Sequence, residues 1–200
     1  MNTRPGAALI TLIGSDDLIP AITTEKELNE WERQNILIAR EWALKPRVLS
    51  RTDPTDEIYL RKLHLRMFDN TWTWAGKYRL RDGIGIGCPF VEIRQLIPQL
   101  LGSVRYSIEN KTYGDIDEIA VRFHHRLVWQ IHAFENGNGR HARLLADALV
   151  VKHGRKAFAW GPANADLDAA GDVRNAYLDA LRSLDANEND VQPLLTFARA

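Results

Sequence analysis

One histidine, two glycines around an asparagine, and two arginines three apart fall within a single short run: His132, Phe134, Gly137, Asn138, Gly139, Arg140 and Arg143. Glycines let consecutive backbone N–H groups converge on an anion, and a helix N-terminus aims its positive dipole end at the same point. The run leads into Leu144, Leu145, Ala146, Ala148 and Leu149, an apolar, alanine-rich helix. Cations in a first helical turn oppose the dipole at about 0.3–1 kcal/mol each, unless a bound anion reverses the sign. The expectation is a phosphate cradle with a titratable base, His132, beside it.

Each residue also has a plainer reading. A lone histidine at a helix end is more often a core residue than a base. Asn138 suits a left-handed turn, and Arg140 and Arg143 could be solvated surface cations. Phe134 reads as the anchor that seats the loop in the core. Their joint occurrence favours the chemical reading. The backbone N–H groups from Gly137 to Arg140 can form an anion hole, Asn138 can add an amide donor, and the i, i+3 spacing puts both arginines on one helix face. His125, His132 and His141 could be taken for a metal cluster, but their spacing fits no zinc pattern, which disfavours a metal-dependent hydrolase.

The elements that position this run are mostly helical. Thr24 with Glu27 three residues on is a capping-box pattern, and Leu28, Trp31, Ile36, Ile38, Ala39 and Trp42 predict a helix over 24–44, ended by Pro46. A second helix is predicted over 55–69 and a third over 92–108, with Pro98 as an irregularity that delays its start. Asp115 caps a long helix on Ile116, Ile119, Ala120, Phe123, Leu127, Val128 and Ile131, which delivers His132 at its end. A helix over 140–152 follows, then two more over 167–184 and 191–200. Residues 1–20 read as an irregular arm with one extended piece over 8–13. Between the second and third helices, Asp82-Gly83 signals a hairpin turn with 77–81 before it and Ile84, Gly85, Ile86 and Gly87 after it. Such a hairpin could take an extended peptide as an added strand, with a plain connecting loop as the alternative. Trp72 and Trp74 read as core.

The run 132–143 resembles the signature of the Fic/Doc family, H-x-F-x-[DE]-G-N-[GK]-R-x-x-R, and Trp74-Ala75-Gly76-Lys77-Tyr78-Arg79 resembles the W-A-G-x-Y-R segment before that family's active-site flap. The Glu27-Leu28-Asn29-Glu30-Trp31-Glu32 run is similar to a subgroup called mobile mystery protein B. The resemblance implies a mostly α Fic-type helical bundle with a short β-hairpin flap beside the active-site loop. It divides the chain into an N-terminal arm with an inhibitory helix over 1–50 and a catalytic domain over 51–200. It implies a protein adenylyltransferase: His132 takes the proton from a target hydroxyl, Asn138 and Arg140 act beside it, and the nucleotide is held by Phe134, Gly137, Asn138, Gly139, Arg140 and Arg143. It further implies ATP with Mg²⁺ as cofactor and a protein substrate added as a strand at Ile84, Gly85, Ile86 and Gly87. Gly139 stands where the phosphotransferring branch has lysine, which favours nucleotidyl transfer. Asn136 stands where the family's metal-holding acid belongs, and a neutral oxygen is a poorer Mg²⁺ ligand. That departure keeps open a nucleotide-binding interaction protein without turnover, or transfer of another phosphate-containing group. In the family's inhibitory pattern, [ST]-x-x-x-E-[GN], Thr23 and Glu27 are spaced correctly but Leu28 breaks the last position. Glu27 is either a regulatory partner of Arg143 or half of a capping box, with Glu30 in reserve.

Twenty-six basic and 26 acidic residues cancel, so no global field favours nucleic acid or an anionic membrane. Cys88 is the single cysteine, and the apolar N-terminal run is too short for a signal peptide or span. The expectation is a cytoplasmic protein with no nucleic-acid and no membrane partner, and a homodimer is left open.

Overall fold

The computed structural model describes residues 15–82, 85–162, 167 and 171–200. The helices are α1 (Glu25–Ala43), α2 (Pro46–Leu49), α3 (Glu57–Phe68), α4 (Ile93–Asn110), α5 (Ile116–His125), α6 (Asn138–Lys152), α7 (Asp172–Ala186) and α8 (Gln192–Arg199). The apolar stretch over 8–13 lies outside the described residues.

Local chemistry accounts for the boundaries. Thr24, in extended backbone, accepts the Glu27 N–H and starts α1. Asp56 and Asp115 accept N–H groups two residues on and start α3 and α5. α4 runs through Pro98 without delay from Ile93. Pro98 is the sixth residue of the helix, past the first turn, so α4 forgoes the backbone bond that would close on the Arg94 carbonyl and keeps its course regardless.

α6 is the centre of the molecule. Leu145, Ala146, Ala148, Leu149 and Val150 are wholly enclosed, each large side chain contributing roughly 1.5–3 kcal/mol by leaving water. α5 lies against one side of α6, and α3 packs on α1 while also touching α6. His141, inside α6, bonds through Nε2 to the Leu60 carbonyl of α3 at 2.9 Å.

Two expectations change. The helix from Asp115 does not stay α-helical to Ile131: after His125 it widens into a π turn over Arg126–Ile131. The His132 N–H closes that turn on the Leu127 carbonyl at 3.0 Å, with His132 itself left-handed at φ 52. π turns of this kind concentrate at functional sites. The hairpin also takes a different form. Gly83 and Ile84 lie outside the described residues, and among the described residues no strand forms beyond a single Leu18–Trp72 bridge. The two legs pair instead with the end of the π turn: Arg79 N–H donates to the Ala133 carbonyl, Gly87 N–H to Trp129 and Cys88 N–H to Ile131. The Asp-Gly turn signal carries no information about such long-range partners.

Candidate active site

The π turn ends in His132, which is half-buried. Its Nδ1 lies 2.9 Å from the Val128 carbonyl. A carbonyl only accepts, so Nδ1 carries the proton and the lone pair stands on Nε2, the tautomer a general base needs. Burial lowers its pKa below the ordinary 6.5, the Val128 bond partly offsets this, and the nearby Arg79 charge adds to the lowering. The ring is therefore neutral and basic at pH 7.

Arg79, the end of the Trp-Ala-Gly-x-Tyr-Arg segment, was not singled out from sequence, yet it is the buried hub of this corner. It donates to the carbonyls of His132 (2.7 Å), Arg81 (2.8 Å), Ile131 (3.3 Å) and Cys88. One side chain thus ties the flap to the backbone of the base. Gly87 closes the other side. At φ +88, a Cβ there would meet the His132 Cβ at 2.5 Å and the Ile131 carbonyl oxygen at 2.8 Å, so only glycine lets the flap come this close. Gly85 and Ile86 lie beside it on the exposed rim, and Ile84 is outside the described residues.

The loop from Ala133 to Gly137 is held from below. Phe134 is buried and stacks on His64 at 3.7 Å between ring centroids. His64 accepts the Gly76 N–H at Nδ1 and donates from Nε2 to the Asn136 carbonyl at 3.1 Å. Burial holds its pKa well below the usual value, so it serves as a neutral strut. Nothing in the sequence distinguishes it from the apolar residues on the same face of α3. Gly137, left-handed at φ +74, leaves no room for a Cβ against Phe68, 2.3 Å away.

Asn138 clamps the loop with both ends of its amide: Oδ1 accepts the Phe134 N–H at 2.9 Å and Nδ2 donates to the Phe134 carbonyl at 2.7 Å. α6 begins here. Its first backbone bond is His141 N–H to the Gly137 carbonyl, so the N–H groups of Asn138, Gly139 and Arg140 precede the ladder at the open helix end, as an anion requires.

The two arginines leave α6 toward different neighbours. Arg140 reaches back to α1, pairing with Glu32 at 2.6 Å and lying over the Phe68 ring. Arg143 lies over the Tyr177 ring of α7, beside Gly139. Glu32 is buried and also accepts the Trp72 indole N–H at 2.6 Å. Trp72 stacks on Trp74 in the core. Glu27, in contrast, is exposed and accepts the Thr23 N–H at 3.4 Å, completing the capping arrangement at the start of α1. The glutamate of α1 that meets the signature is Glu32, five residues beyond Glu27, and the arginine it meets is Arg140.

The residues do not fit a metal held by the protein. The Asn136 side-chain oxygen accepts the Gly137 N–H at 2.7 Å, and Glu135 is 3.3 Å from Arg81. Among the described residues no group of His, Cys, Asp or Glu side chains gathers into a metal site. His125 and His141 sit apart from His132, each in its own helix contact. Among the described residues no helix is long and apolar enough to cross a membrane.

This geometry agrees with comparisons against known proteins. The Fic/DOC family model matches residues 54–150. A protein of Aquifex aeolicus named as a probable protein adenylyltransferase is 28% identical over 131 residues, 64% of this chain but 37% of that protein, so the chain spans little more than a third of its length. The fold is shared with the Fic domain of a Bartonella quintana Bep effector protein with bound ADP, at 20% identity and a TM-score of 0.65 over 96% of this chain and 92% of that one. It is shared too with BepC of Bartonella tribocorum with bound AMPPNP, at 19% identity and a TM-score of 0.62 over 89% and 87%. The signature loop, the helix that begins in it and the family match over the same residues make this chain a member of the Fic/DOC family.

Proposed function

We propose that the protein transfers AMP from ATP to a hydroxyl side chain of a target protein. The observation that carries this reading is the His132 tautomer: a neutral base with its lone pair on Nε2, beside a helix N-terminus built to receive phosphate. His132 removes the hydroxyl proton, the oxygen attacks the α-phosphorus, and the bond to the β-phosphate oxygen breaks with pyrophosphate leaving. The N–H groups at the start of α6 take up charge on the transferring group, and Arg140 and Arg143 are the cations nearest the remaining phosphates. ATP enters this reading as its Mg²⁺ complex, with no residue of the chain assigned as a ligand and no step assigned to the metal. The nucleotides named with the two Bartonella structures support the substrate class.

The target hydroxyl is presented by a segment lying along Gly85, Ile86 and Gly87; Ile84, also expected in this surface, lies outside the described residues. In support, Gly87 spends its N–H on the π turn while Ile86 beside it stays exposed. The N-terminal helix restrains the enzyme. The Glu32–Arg140 pair supports this part, because an arginine held by a carboxylate must exchange it for phosphate when ATP binds.

Intact-mass measurement after incubation with ATP and Mg²⁺, alone and with a cell-lysate protein mixture, tests the reading. An adduct of one AMP on the chain or a target is expected. A phosphate adduct would indicate phosphoryl transfer. Nucleotide binding with no adduct would indicate an interaction protein, the reading the neutral Asn136 favours.

A further inference from the structure

α4, α5, α7 and the π turn line a cleft of about 470 Å³, within the ~300–1,000 Å³ common for small-molecule sites. Its lining includes the buried side chains of Leu100 and Phe123 together with His125, Arg126, Gln130 and Asp185. No part of the transfer chemistry uses these residues.

His125 is buried. The Leu181 carbonyl hydrogen-bonds its ring, and the nitrogen left over, Nε2, has no hydrogen-bond partner in the protein. Burial lowers the pKa of this histidine below its ordinary value, so the ring is neutral at pH 7 and Nε2 is an acceptor. The Asp185 Oδ1 atom lies 3.7 Å from it, also an acceptor, and already takes a long hydrogen bond from the Gln130 amide at 3.4 Å. His125 Nε2 is left without a donor, and a buried polar atom without a partner requires an explanation. In the same lining Arg126 donates to the Ser103 hydroxyl at 2.9 Å, and among the described residues it meets no carboxylate. Its neighbour one turn back, Arg122, is already held by Glu118 at 2.7 Å and by the Glu188 carbonyl. The cleft therefore presents a carboxylate with an acceptor nitrogen, a guanidinium with donors to spare, and apolar side chains.

We propose that this cleft binds a free α-amino acid. The ammonium donates to Asp185 and His125 Nε2, the carboxylate accepts from Arg126, and the side chain lies on Leu100 and Phe123. The recognition is of a zwitterion, since neither charge alone answers both Asp185 and Arg126. Arg126 and Gln130 belong to the π turn that ends in His132, so an occupied cleft bears on the element that aims the base. The binding itself does not depend on the adenylyl-transfer reading.

The test is a thermal-shift screen of the full chain with the common α-amino acids, followed by calorimetry on those that stabilise it. For leucine as the probe, isocaproate lacks the ammonium and isoamylamine lacks the carboxylate. Both analogues, and the variants Asp185→Asn and Arg126→Gln with leucine, are expected to bind at least about tenfold more weakly, a loss of roughly 1.4 kcal/mol. The two substitutions lie at exposed positions, so folding survives them, and unchanged melting without ligand confirms this. No stabilisation by any amino acid overturns the proposal, as would be the case if His125 were protonated and simply paired with Asp185. Equal affinity for leucine and isoamylamine also overturns it, because the cleft would then be a cation site without the Arg126 half.

Discussion

Arg79 and Arg140 stand at the two ends of the active-site loop and are held by different kinds of partner. Arg79 gives its donors to backbone carbonyls of His132, Ile131, Arg81 and Cys88, groups that belong to the fold and cannot be exchanged. Arg140 is held by the carboxylate of Glu32, a partner that a phosphate can replace, since a guanidinium binds either anion through charge-assisted hydrogen bonds. The first arginine fixes where His132 stands, whereas the second has a partner that an anion can exchange. Sequence neighbourhood suggests the opposite weighting, since Arg140 lies inside the signature and Arg79 lies 53 residues before His132.

The largest effect tests what both arginines serve. His132→Ala is expected to lower transfer by about 10²–10⁴-fold, the usual worth of a positioned general base, while ATP affinity by calorimetry stays near wild type. Full activity in the mutant would remove His132 from the chemistry.

The next separates the two arginines. Arg79→Met should reduce kcat/KM by roughly tenfold to a hundredfold through a displaced base, again with ATP affinity retained. Its acid limb should also move. A lowered histidine pKa keeps the base unprotonated until the pH falls below 6.5, and removing a neighbouring cation raises that pKa, so the midpoint of the limb shifts upward. Arg79→Lys keeps the charge and loses the fork, and so should lose rate without shifting the midpoint. If both variants shift it equally, the charge account is wrong.

Glu32→Gln probes the exchangeable partner. It keeps an acceptor for the Trp72 indole but removes the charge facing Arg140, a pair of the kind worth about 1.5–3 kcal/mol. Self-modification with ATP should rise by about tenfold, the factor that ~1.4 kcal/mol represents. Glu27→Gly removes only the capping contact and should cost about 0.5–2 kcal/mol of stability at most, with labelling unchanged. Activation by Glu27→Gly but not by Glu32→Gln would return the restraint to the start of α1.

Asn136→Asp should have the smallest effect. The carboxylate can still accept the Gly137 N–H and adds a charged ligand, so turnover should rise a few-fold at low Mg²⁺ and converge with wild type when Mg²⁺ is saturating. A flat response across a Mg²⁺ titration would detach this position from the metal.

Much of this was legible in the chain itself. Gly137, Asn138 and Gly139 mark a helix start just after a histidine, Thr24 and Asp115 start helices by local hydrogen bonds, and the apolar spacing of α4, α5 and α6 sets their buried faces. These are short-range effects, settled within a turn or two of backbone, and they suffice for the helical class and for a histidine set beside a helix N-terminus. What the tertiary structure alone decided lies in contacts between distant segments. Among the described residues the legs of the flap pair with Trp129, Ile131 and Ala133. Asn138 spends its amide on Phe134, Glu32 rather than Glu27 meets an arginine, and the helix before His132 widens into a π turn where Arg79 draws in its carbonyls. Buried polar groups must find partners wherever packing brings them, and their spacing along the chain does not record which partners those are.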